Sequence, residues 1–426
     1  MLLAASSFYI DVYKEYGIVI KGGNYMYRFR NIENLLGKNE LENQEIFFQR
    51  IDNLNDPIEL FIDLYFEGDR VLWKNLFRHY IYTLGRAIER SFIADIKLDL
   101  DDIYVFGNKE KLPNQIWKDN FANLEKEFLN TKNIVALINF LSDGRQIPKT
   151  FLEFCLYSAH NVALNCIFKQ FFQIESSLAK PDINWESFRN EEKEQWVKQV
   201  QQLRALSKLA TRGNMPIIEG KGKTNLNDNY FFYAIDYPEN YLKAIKRLMY
   251  PNAFVACFSE DYKNSSMWGH YAEEHRGVCL RFKDISIDDK YGLAFESQCV
   301  RPYFKVNYDI GFPGINFFSN FGRLTPKEVE EHWYKDEDNG GEHSSYAHDF
   351  FKDSKEWKNK YADYFESRIT CKTKDWEYEK ETRIVIPDYL RQYDETNPIF
   401  KYDFDLLEAI IFGIETSDND KNILLK

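Results

Sequence analysis

Apolar and polar side chains alternate from Asn24 to Arg30, a spacing that is typical of a β-strand. One face of this predicted strand is aromatic and consists of Tyr25, Tyr27 and Phe29. The opposite face carries Met26, Arg28 and Arg30. Two arginines therefore share one face of the strand.

Other segments of strand length lie near both ends of the chain: Glu45–Gln49, Phe254–Phe258, Val278–Phe282, Val300–Asn307, Thr382–Ile386 and Leu407–Phe412. Apolar residues recur at helical spacing in the middle, in Val71–Ile96, Gln115–Leu129, Lys149–Ile174 and Trp185–Thr211. We predict an α+β fold with a discontinuous strand-rich domain, residues 1–62 and 251–426. A mainly helical insertion domain, residues 63–250, interrupts it. The polar segments Gly213–Asn229 and Tyr334–Asp349 are predicted to be loops.

Composition shows what kind of core the chain can build. Of its 426 residues, 44% are hydrophobic and 17% are aromatic, so large rings should fill the core. A chain of this length buries enough surface to fold without disulfides or metals. The six cysteines include no C-x-x-C pair, which is typical of free thiols in a reducing compartment.

The net charge of −12 opposes nonspecific attraction to nucleic acids or anionic membranes. The first residues, MLLAASSFYIDVYKEYG, lack a basic region and a long apolar run, so we expect neither a signal peptide nor a transmembrane helix. These features predict a cytoplasmic protein without a membrane partner.

Two apparent ligand motifs do not meet the geometry that their chemistry needs. A phosphate-binding loop requires a glycine where Ile217 precedes the G-K-T of Gly222–Thr224. A zinc site is suggested by Cys257, His270, His275 and Cys279. However, the two histidines would lie about 140° apart around a helix, and the two cysteines fall in apolar strands. We therefore predict buried thiols and no metal site.

The block Ser259–Arg281, SEDYKNSSMWGHYAEEHRGVCLR, predicts a strand end, a polar loop and a helix capped by Ser265 or Ser266. Two interpretations remain open. The amides at the helix start could hold a phosphate while His270 and Tyr271 point into a cleft. Alternatively, Trp268 and Tyr271 only pack against the sheet.

The block Asp375–Pro387, DWEYEKETRIVIP, predicts a strand with Glu377, Glu379, Glu381 and Arg383 on one face. Three carboxylates on one face are costly unless that face meets water, cations or a ligand. One of them could act as an acid, a base or a stabiliser of a cation. An exposed edge strand is the alternative interpretation.

Taken in order, these blocks resemble a bacterial family named domain of unknown function 2971. The matching residues are Tyr27–Arg30, Asn55–Pro57, Cys257–Ser259, Met267–Leu280, Val306–Tyr308, Trp376–Arg383 and Ile410–Gly413. The resemblance covers residues 22–62 and 250–415, and it implies that the helical segment between them is an insertion.

The order of an arginine-bearing strand, a Ser/Tyr-bearing segment and a late glutamate-bearing strand is also similar to that of ADP-ribosyltransferases. This resemblance implies a split antiparallel sheet that binds NAD as a substrate. A fixed carboxylate would stabilise the oxocarbenium-like cation formed when the glycosidic bond breaks. The chain has neither the Ser-Thr-Ser triplet nor the His-Gly pair of that family.

Carried over to this sequence, Arg28 or Arg30 would contact the phosphates of NAD. The side chains implied on the nicotinamide side and in the surrounding cleft are Ser259, Tyr271, Trp268 and His270. Glu381 or Glu379 would be the catalytic carboxylate. The implied function is an ADP-ribosyltransferase or NAD-cleaving enzyme that acts in bacteria as a phage-defence or toxin effector, on an unidentified protein or nucleic-acid acceptor.

Two other functions compete with this one. The first is RNA processing, with rings stacking on bases and His270, Glu379 and Glu381 in acid–base roles. It requires a basic groove formed by Lys243, Lys246, Arg247, Arg281, Lys283 and Arg301, against the net negative charge. The second is a non-catalytic sensor that binds a protein partner through its helical insertion. In addition, Arg28, Arg30 and Arg383 could simply be ion-pair partners of the glutamates.

Overall fold

A computed structural model describes residues 25–54, 64–93, 96–174, 183–188, 194–195, 197–198, 201–202, 226–249, 252–287, 290–295, 299–309, 314–338, 340–347, 365–388 and 398–425. The chain divides into two compact units. Unit 1 consists of Met1–Phe61, Pro251–Phe312 and Ala362–Lys426, and unit 2 of Ile62–Tyr250 and Pro313–Tyr361.

Unit 1 is built from short antiparallel strands. Numbered along the whole chain, its strands are β1 (Tyr25–Arg30), β2 (Glu45–Phe47), β3 (Gln49–Arg50), β6 (Asn252–Ser259), β7 (Val278–Lys283), β8 (Ile285–Ile287), β9 (Lys290–Phe295), β10 (Cys299–Pro302), β11 (Phe304–Lys305), β13 (Glu381–Asp388), β14 (Ile399–Lys401) and β15 (Leu407–Phe412). Its helices are α1 (Ile32–Gly37), α8 (Ser265–Tyr271) and α10 (Asp418–Leu424). With the helices of unit 2, these strands confirm the predicted α+β class.

The central sheet of unit 1 has the strand order β11-β13-β6-β1-β7-β15, and β3 pairs with β6 as a seventh strand. Every pair in it is antiparallel. β13 pairs with β6 over its whole length, whereas β1 and β6 are paired only at Tyr27 and Ser259. Beyond that single pair β6 continues beside β3, with Gln49 opposite Val255. The sheet is therefore open between β1 and β6.

The two faces of the central sheet bury different side chains, as the alternation in β1 predicts. One face carries the larger core, which includes Met26, Phe254, Phe258, Leu280, Phe282, Ile384 and Ile410. The other face carries Phe29, Cys279 and Ile411, and α8 covers it. Trp268 of α8 packs edge-on against Phe29, with ring centroids 5.2 Å apart. Short additional sheets are formed by β8, β9 and β10 and by β2 and β14.

Unit 2 is mainly helical. Its helices are α2 (Arg70–Ile93), α3 (Gln115–Leu129), α4 (Lys132–Leu141), α5 (Lys149–Phe172), α6 (Leu226–Phe231), α7 (Tyr237–Ala244) and α9 (Pro326–Val329). Its strands are β4 (Leu64–Phe66), β5 (Ile147–Pro148) and β12 (Ile315–Asn316). Rings fill its core: Tyr80 hydrogen-bonds His160 at 2.7 Å and packs edge-on against Tyr241.

Residues 313–361 belong to unit 2, although they were predicted to be part of the discontinuous domain. The physical reason is that β12 pairs with β4 and that Asn75 of α2 donates to the carbonyl of Trp333. The segment predicted as an exposed loop over 334–349 is partly buried, because Lys74 pairs with the buried carboxylate of Asp336 at 2.8 Å.

Several predicted segments lie wholly or partly outside the described residues. These are Asn55–Pro57, most of Trp185–Thr211, and residues 213–225 of the predicted linker. The rest of that linker was wrongly predicted as a loop, because α6 begins at Leu226. Helix α4 was not anticipated as an element of its own. None of the helices in the described part of the chain has both the length and the apolar composition that a bilayer crossing needs.

Gly277, immediately before β7, provides a test of the packing between this end of β7 and β1. A methyl group at this position would overlap the backbone oxygen of Arg30, which cannot move without disturbing β1. We expect Gly277→Ala to lower the free energy of unfolding by about 1–3 kcal/mol in urea denaturation. Gly269→Ala is the matched control, because its methyl group would meet no atom and alanine favours the helix. Equal effects of the two substitutions would contradict this packing.

Candidate functional site

A cleft with a volume of about 370 Å³ lies between β1 and β6 of unit 1, where the sheet is open. We call it the central cleft. It is lined by polar and charged side chains from β1, β6, α8 and β13 and by the segment before β13. Those most relevant to chemistry are Arg28, Arg30, Cys257, Ser259, Tyr271, Lys372, Glu379, Glu381 and Arg383. Its volume suits a small-molecule ligand.

A buried group of four charged side chains, Lys372, Glu379, Glu381 and Arg383, forms one wall of the central cleft. We call it the Lys372 cluster. The Nζ of Lys372 lies 2.7 Å from Oε2 of Glu379 and 3.0 Å from Oε2 of Glu381. No side chain of the cluster is more than 4% exposed. Two cations balance two carboxylates, so the cluster has no net formal charge.

The glutamates meet because the chain changes conformation between them, not because they share a strand face. Residues Lys374–Glu379 form a 3-10 helix, Lys380 is left-handed with φ 43°, and β13 begins at Glu381. The prediction of one strand with Glu377 on the same face was therefore wrong, and Glu377 is exposed. The alternative of an exposed edge strand is also wrong, because β13 is buried and paired on both sides.

Ser259 holds this turn against the end of β6. Its hydroxyl donates to the backbone oxygen of Glu379 at 2.8 Å, and its register partner on β13 is Glu381. Asn264 supports the same turn by donating to the carbonyl of Tyr378 at 2.6 Å. The backbone amide of Glu381 donates to the hydroxyl of Tyr308 at 2.7 Å. Hydrogen bonds therefore fix the backbone that carries both carboxylates.

The two buried carboxylates have different surroundings. Arg383 binds Glu381 through two contacts, Nε to Oε1 at 2.8 Å and Nη2 to Oε2 at 3.1 Å. Arg383 is itself held by the carbonyl of Ile369 at 2.5 Å. Glu379 instead accepts a 2.6 Å hydrogen bond at Oε1 from the hydroxyl of Tyr271, which is half-buried on α8. Glu381 is therefore bound by two cations, while Glu379 is bound by one cation and one hydroxyl.

Burial and charge act in opposite directions within the Lys372 cluster. Burial raises the pKa of Glu381 above the usual range of a glutamate, and the charge of Lys372 counteracts this rise. For Lys372, burial alone would lower the pKa, but the charges of Glu381 and Glu379 raise it well above its ordinary value. Lys372 is consequently a permanent cation, and it keeps two adjacent carboxylates together in a buried place.

Arg28 and Arg30 of β1 also line the central cleft, and each has a buried donor atom without a hydrogen-bond partner in the described part of the chain. Nη2 of Arg28 donates to the carbonyl of Phe47 at 3.0 Å, but its Nη1 is unpaired. Arg30 pairs with Glu40 through Nη2, and its Nε is unpaired. Burial and the charge of Arg30 lower the pKa of Arg28 to about 10, which still leaves it protonated at neutral pH.

The arginines therefore do not all serve as ion-pair partners of the glutamates. Arg383 pairs with Glu381, whereas Arg30 pairs with Glu40 and Arg28 binds a backbone carbonyl. The interpretation of the arginines as ion-pair partners of the glutamates in the block Asp375–Pro387 therefore holds for Arg383 and is wrong for Arg28 and Arg30.

Two residues from the predicted site do not line the central cleft. Trp268 is buried, and its Nε1 donates to the carbonyl of Tyr262 at 2.6 Å. His270 is exposed, with its ring 6.5 Å from that of Tyr378. The helix cap was also wrongly assigned, because Asn264 and not a serine accepts from the amide of Ser266. The other predicted residues, Arg28, Arg30, Ser259, Tyr271, Glu379 and Glu381, come together in one cleft, but their roles stay predictions.

Lys372 was not predicted as a site residue, because a single lysine after a short apolar run carries no motif. Cys257 was predicted to be a buried thiol, but it is exposed in the cleft beside Glu381. Its register partner on β13 is Arg383, which also lines the central cleft. Within the described ranges, no group of three or more His, Cys, Asp and Glu side chains is arranged to hold a metal ion.

Comparison with known proteins places this region in context. Residues 267–384 match the model of a family described as protein of unknown function (DUF2971). The match runs from α8 into β13 and includes Tyr271 and the whole Lys372 cluster. No curated protein and no solved structure matches the chain. The resemblance to ADP-ribosyltransferases stays a prediction.

Removing the cation of the cluster tests its structural role. Lys372→Met leaves two buried carboxylates beside Arg383 alone, so we expect the free energy of unfolding to fall by about 3–5 kcal/mol at neutral pH. Loss of this charge also raises the pKa of Glu381 further. A carboxyl group whose pKa is higher in the folded state costs stability as the pH rises through that range. The loss should therefore be smaller at about pH 5 than at about pH 8.

Urea denaturation of both proteins at the two pH values measures this difference. Lys374→Met is the control. The side chain of Lys374 is 74% exposed, and its ion pair with the exposed Asp309 is long, at 3.9 Å. A loss in Lys372→Met that does not depend on pH would contradict the electrostatic explanation.

Proposed function

We propose that unit 1 binds NAD in the central cleft and cleaves the bond between nicotinamide and ribose. The observation that carries this proposal is that one cleft is lined both by arginines with unpaired donors and by a carboxylate held by a tyrosine and a lysine. The first group suits an anionic phosphate, and the second suits a cation that develops during bond cleavage. NAD carries both chemical features in one molecule.

The arginines of β1 would bind the pyrophosphate. A guanidinium donates several hydrogen bonds in a fixed plane, which matches phosphate oxygens better than a point charge does. Arg30 lies three residues beyond Tyr27 along β1, a distance of about 10 Å. Tyr27 pairs with Ser259, which lies beside the glutamates. The phosphate held by Arg30 and the bond cleaved near the glutamates would therefore be at separate parts of one ligand.

Glu379 is our candidate for the catalytic carboxylate. As the glycosidic bond breaks, its electron pair leaves with nicotinamide and C1′ of the ribose becomes oxocarbenium-like. Glu379 would stabilise that charge, while water or a nucleophilic acceptor adds to C1′ and releases a proton. Tyr271 and Lys372 fix the orientation of Glu379. Glu381 would act as a positioning residue, because Arg383 and Lys372 already bind its carboxylate.

Nicotinamide release from NAD by the purified protein, with and without cell extract, tests the chemistry. We expect Glu379→Gln to reduce the rate by at least about 100-fold, a size typical of losing a charge-stabilising group. Tyr271→Phe should retain part of the activity, because it frees Glu379 without removing its charge. Glu377→Gln should leave the rate unchanged, since that carboxylate is exposed outside the cleft.

Thermal unfolding of each variant separates loss of activity from loss of folding. Release that is unchanged in a folded Glu379→Gln variant would reject the assignment of this glutamate. Absence of release from the wild type under all conditions would reject NAD cleavage itself.

Binding of ADP-ribose tests the arginines independently of catalysis. Arg28→Met removes the unpaired donor, so we expect the dissociation constant measured by calorimetry to rise about tenfold, as for one lost charge-assisted hydrogen bond. Arg276→Met removes an equal charge from a side chain that is 62% exposed, and it should bind as the wild type does. Equal weakening in both variants would indicate a general charge effect instead of a phosphate site.

A further inference from the structure

Unit 1 contains a second cleft, with a volume of about 770 Å³, that the proposed function does not use. We call it the tyrosine cleft, because Tyr25, Tyr27, Tyr291 and Tyr303 line it together with Asp284 and Thr382. Tyr27 lines this cleft and the central cleft as well. The two clefts therefore adjoin at the single position where β1 pairs with β6.

Four polar atoms of this lining are buried and have no hydrogen-bond partner in the described part of the chain. They are both carboxylate oxygens of Asp284, the hydroxyl of Tyr303 and Oγ1 of Thr382. A buried polar atom without a hydrogen-bond partner destabilises the folded state, so several that line one cleft need an explanation. A ligand that hydrogen-bonds to them supplies one.

The charge of the tyrosine cleft indicates the chemistry of that ligand. Burial and the nearby charge of Glu260 raise the pKa of Asp284 to about 7. Lys305, the lysine among the lining residues, pairs with Glu260 instead of Asp284. Among the residues that the structure describes, Asp284 thus has no positive partner of the kind that a buried carboxylate needs, and an incoming cation would provide one.

The surrounding rings favour an organic cation. Tyr291 is 50% exposed and offers an aromatic face to a ligand. The guanidinium of Arg281 lies 5.1 Å from the ring centre of Tyr25, so one tyrosine of the cleft already contacts a guanidinium from within the chain. A planar guanidinium can stack on a ring while its edge donates two parallel hydrogen bonds to one carboxylate.

We propose that the tyrosine cleft is a binding site for a guanidinium group, with both oxygens of Asp284 as its acceptors and Tyr291 against its face. The hydroxyls of Tyr303 and Thr382 accept from the remaining N–H groups. The ligand is either a small guanidine or an arginine side chain of another protein, and the same contacts serve both. This site does not depend on NAD cleavage, so its test is separate from the tests of the central cleft.

Calorimetric titration with agmatine, a small guanidine without a carboxylate, tests the site on the full chain. N-carbamoylputrescine is the matched probe, because a neutral urea replaces its guanidinium. We expect saturable binding of agmatine, no measurable binding of the urea, and a dissociation constant at least about tenfold higher in Asp284→Asn. Asp309→Asn is the control, because it removes the charge of an aspartate that is 81% exposed.

A second titration distinguishes the two sources of the guanidinium. The probe is a short unstructured peptide with one arginine, compared with the same peptide carrying citrulline. Arginine-dependent binding tighter than that of agmatine identifies a protein ligand, and the reverse order identifies a small molecule. Absence of saturable binding by both probes, or equal agmatine binding by Asp284→Asn and the wild type, overturns the proposal.

The melting temperature distinguishes a ligand-binding aspartate from one that only supports the fold, because replacing Asp284 shifts it in opposite directions in the two cases. Removing an unpaired buried carboxylate should leave the melting temperature of Asp284→Asn equal to or above that of the wild type. Agmatine should raise the melting temperature of the wild type but not that of the variant. A lower melting temperature of the variant without ligand would show that Asp284 supports the fold, and it would overturn the proposal.

Discussion

The attraction between Lys372 and two buried glutamates is the interaction on which the centre of unit 1 depends. Desolvated carboxylates repel each other and cost several kilocalories per mole unless a cation lies between them. Lys372 supplies that cation, and Arg383 completes the charge balance on Glu381. This arrangement allows the turn at Lys380, the start of β13 and the end of β6 to come together.

The second constraint is the gap in the central sheet. β1 and β6 share one register pair, Tyr27 with Ser259, and then separate. Residues 28–30 and 255–259 line the central cleft, whereas Tyr25, Met26 and Glu260 line the tyrosine cleft. An evenly paired sheet would fill both spaces with ladder hydrogen bonds. The open pairing therefore creates two clefts around one residue, each with buried donors or acceptors that lack a partner in the described chain.

Unit 2 uses buried charge in a different way. Lys74 and Arg78 on α2 bind Asp336 and Asp338, and Arg78 and Lys109 neighbour the buried Glu125. Burial raises the pKa of Glu125 to about 7, and both cations act against this rise. These contacts attach residues 336–338 to the helices, and so they explain why a polar segment of the sequence is buried.

The positions of many helices and strands along the chain were determined by the sequence itself. Alternation in β1, helical spacing in α2, α3 and α5, and the positions of β6, β7 and β15 follow from periodicity, because each pattern reflects one face turned to a core. The glutamates, Ser259, Tyr271 and the arginines of β1 were recognisable because their residue types and order suit the chemistry of a charged ligand. Their presence in one cleft is consistent with that order.

Only the tertiary structure decided which of these groups interact. Lys372 carries no local signal, and its role arises because the turn at Lys380 places two glutamates against it. Trp268 and His270 share a helix with Tyr271 yet lie outside the central cleft, because Trp268 packs against Phe29 of β1 and His270 is exposed. Asp284, Tyr303 and Thr382 are far apart in sequence but line the same cleft. A sequence pattern reports the periodicity of one segment, whereas partners across a sheet are chosen by register and packing of segments that are distant in the chain.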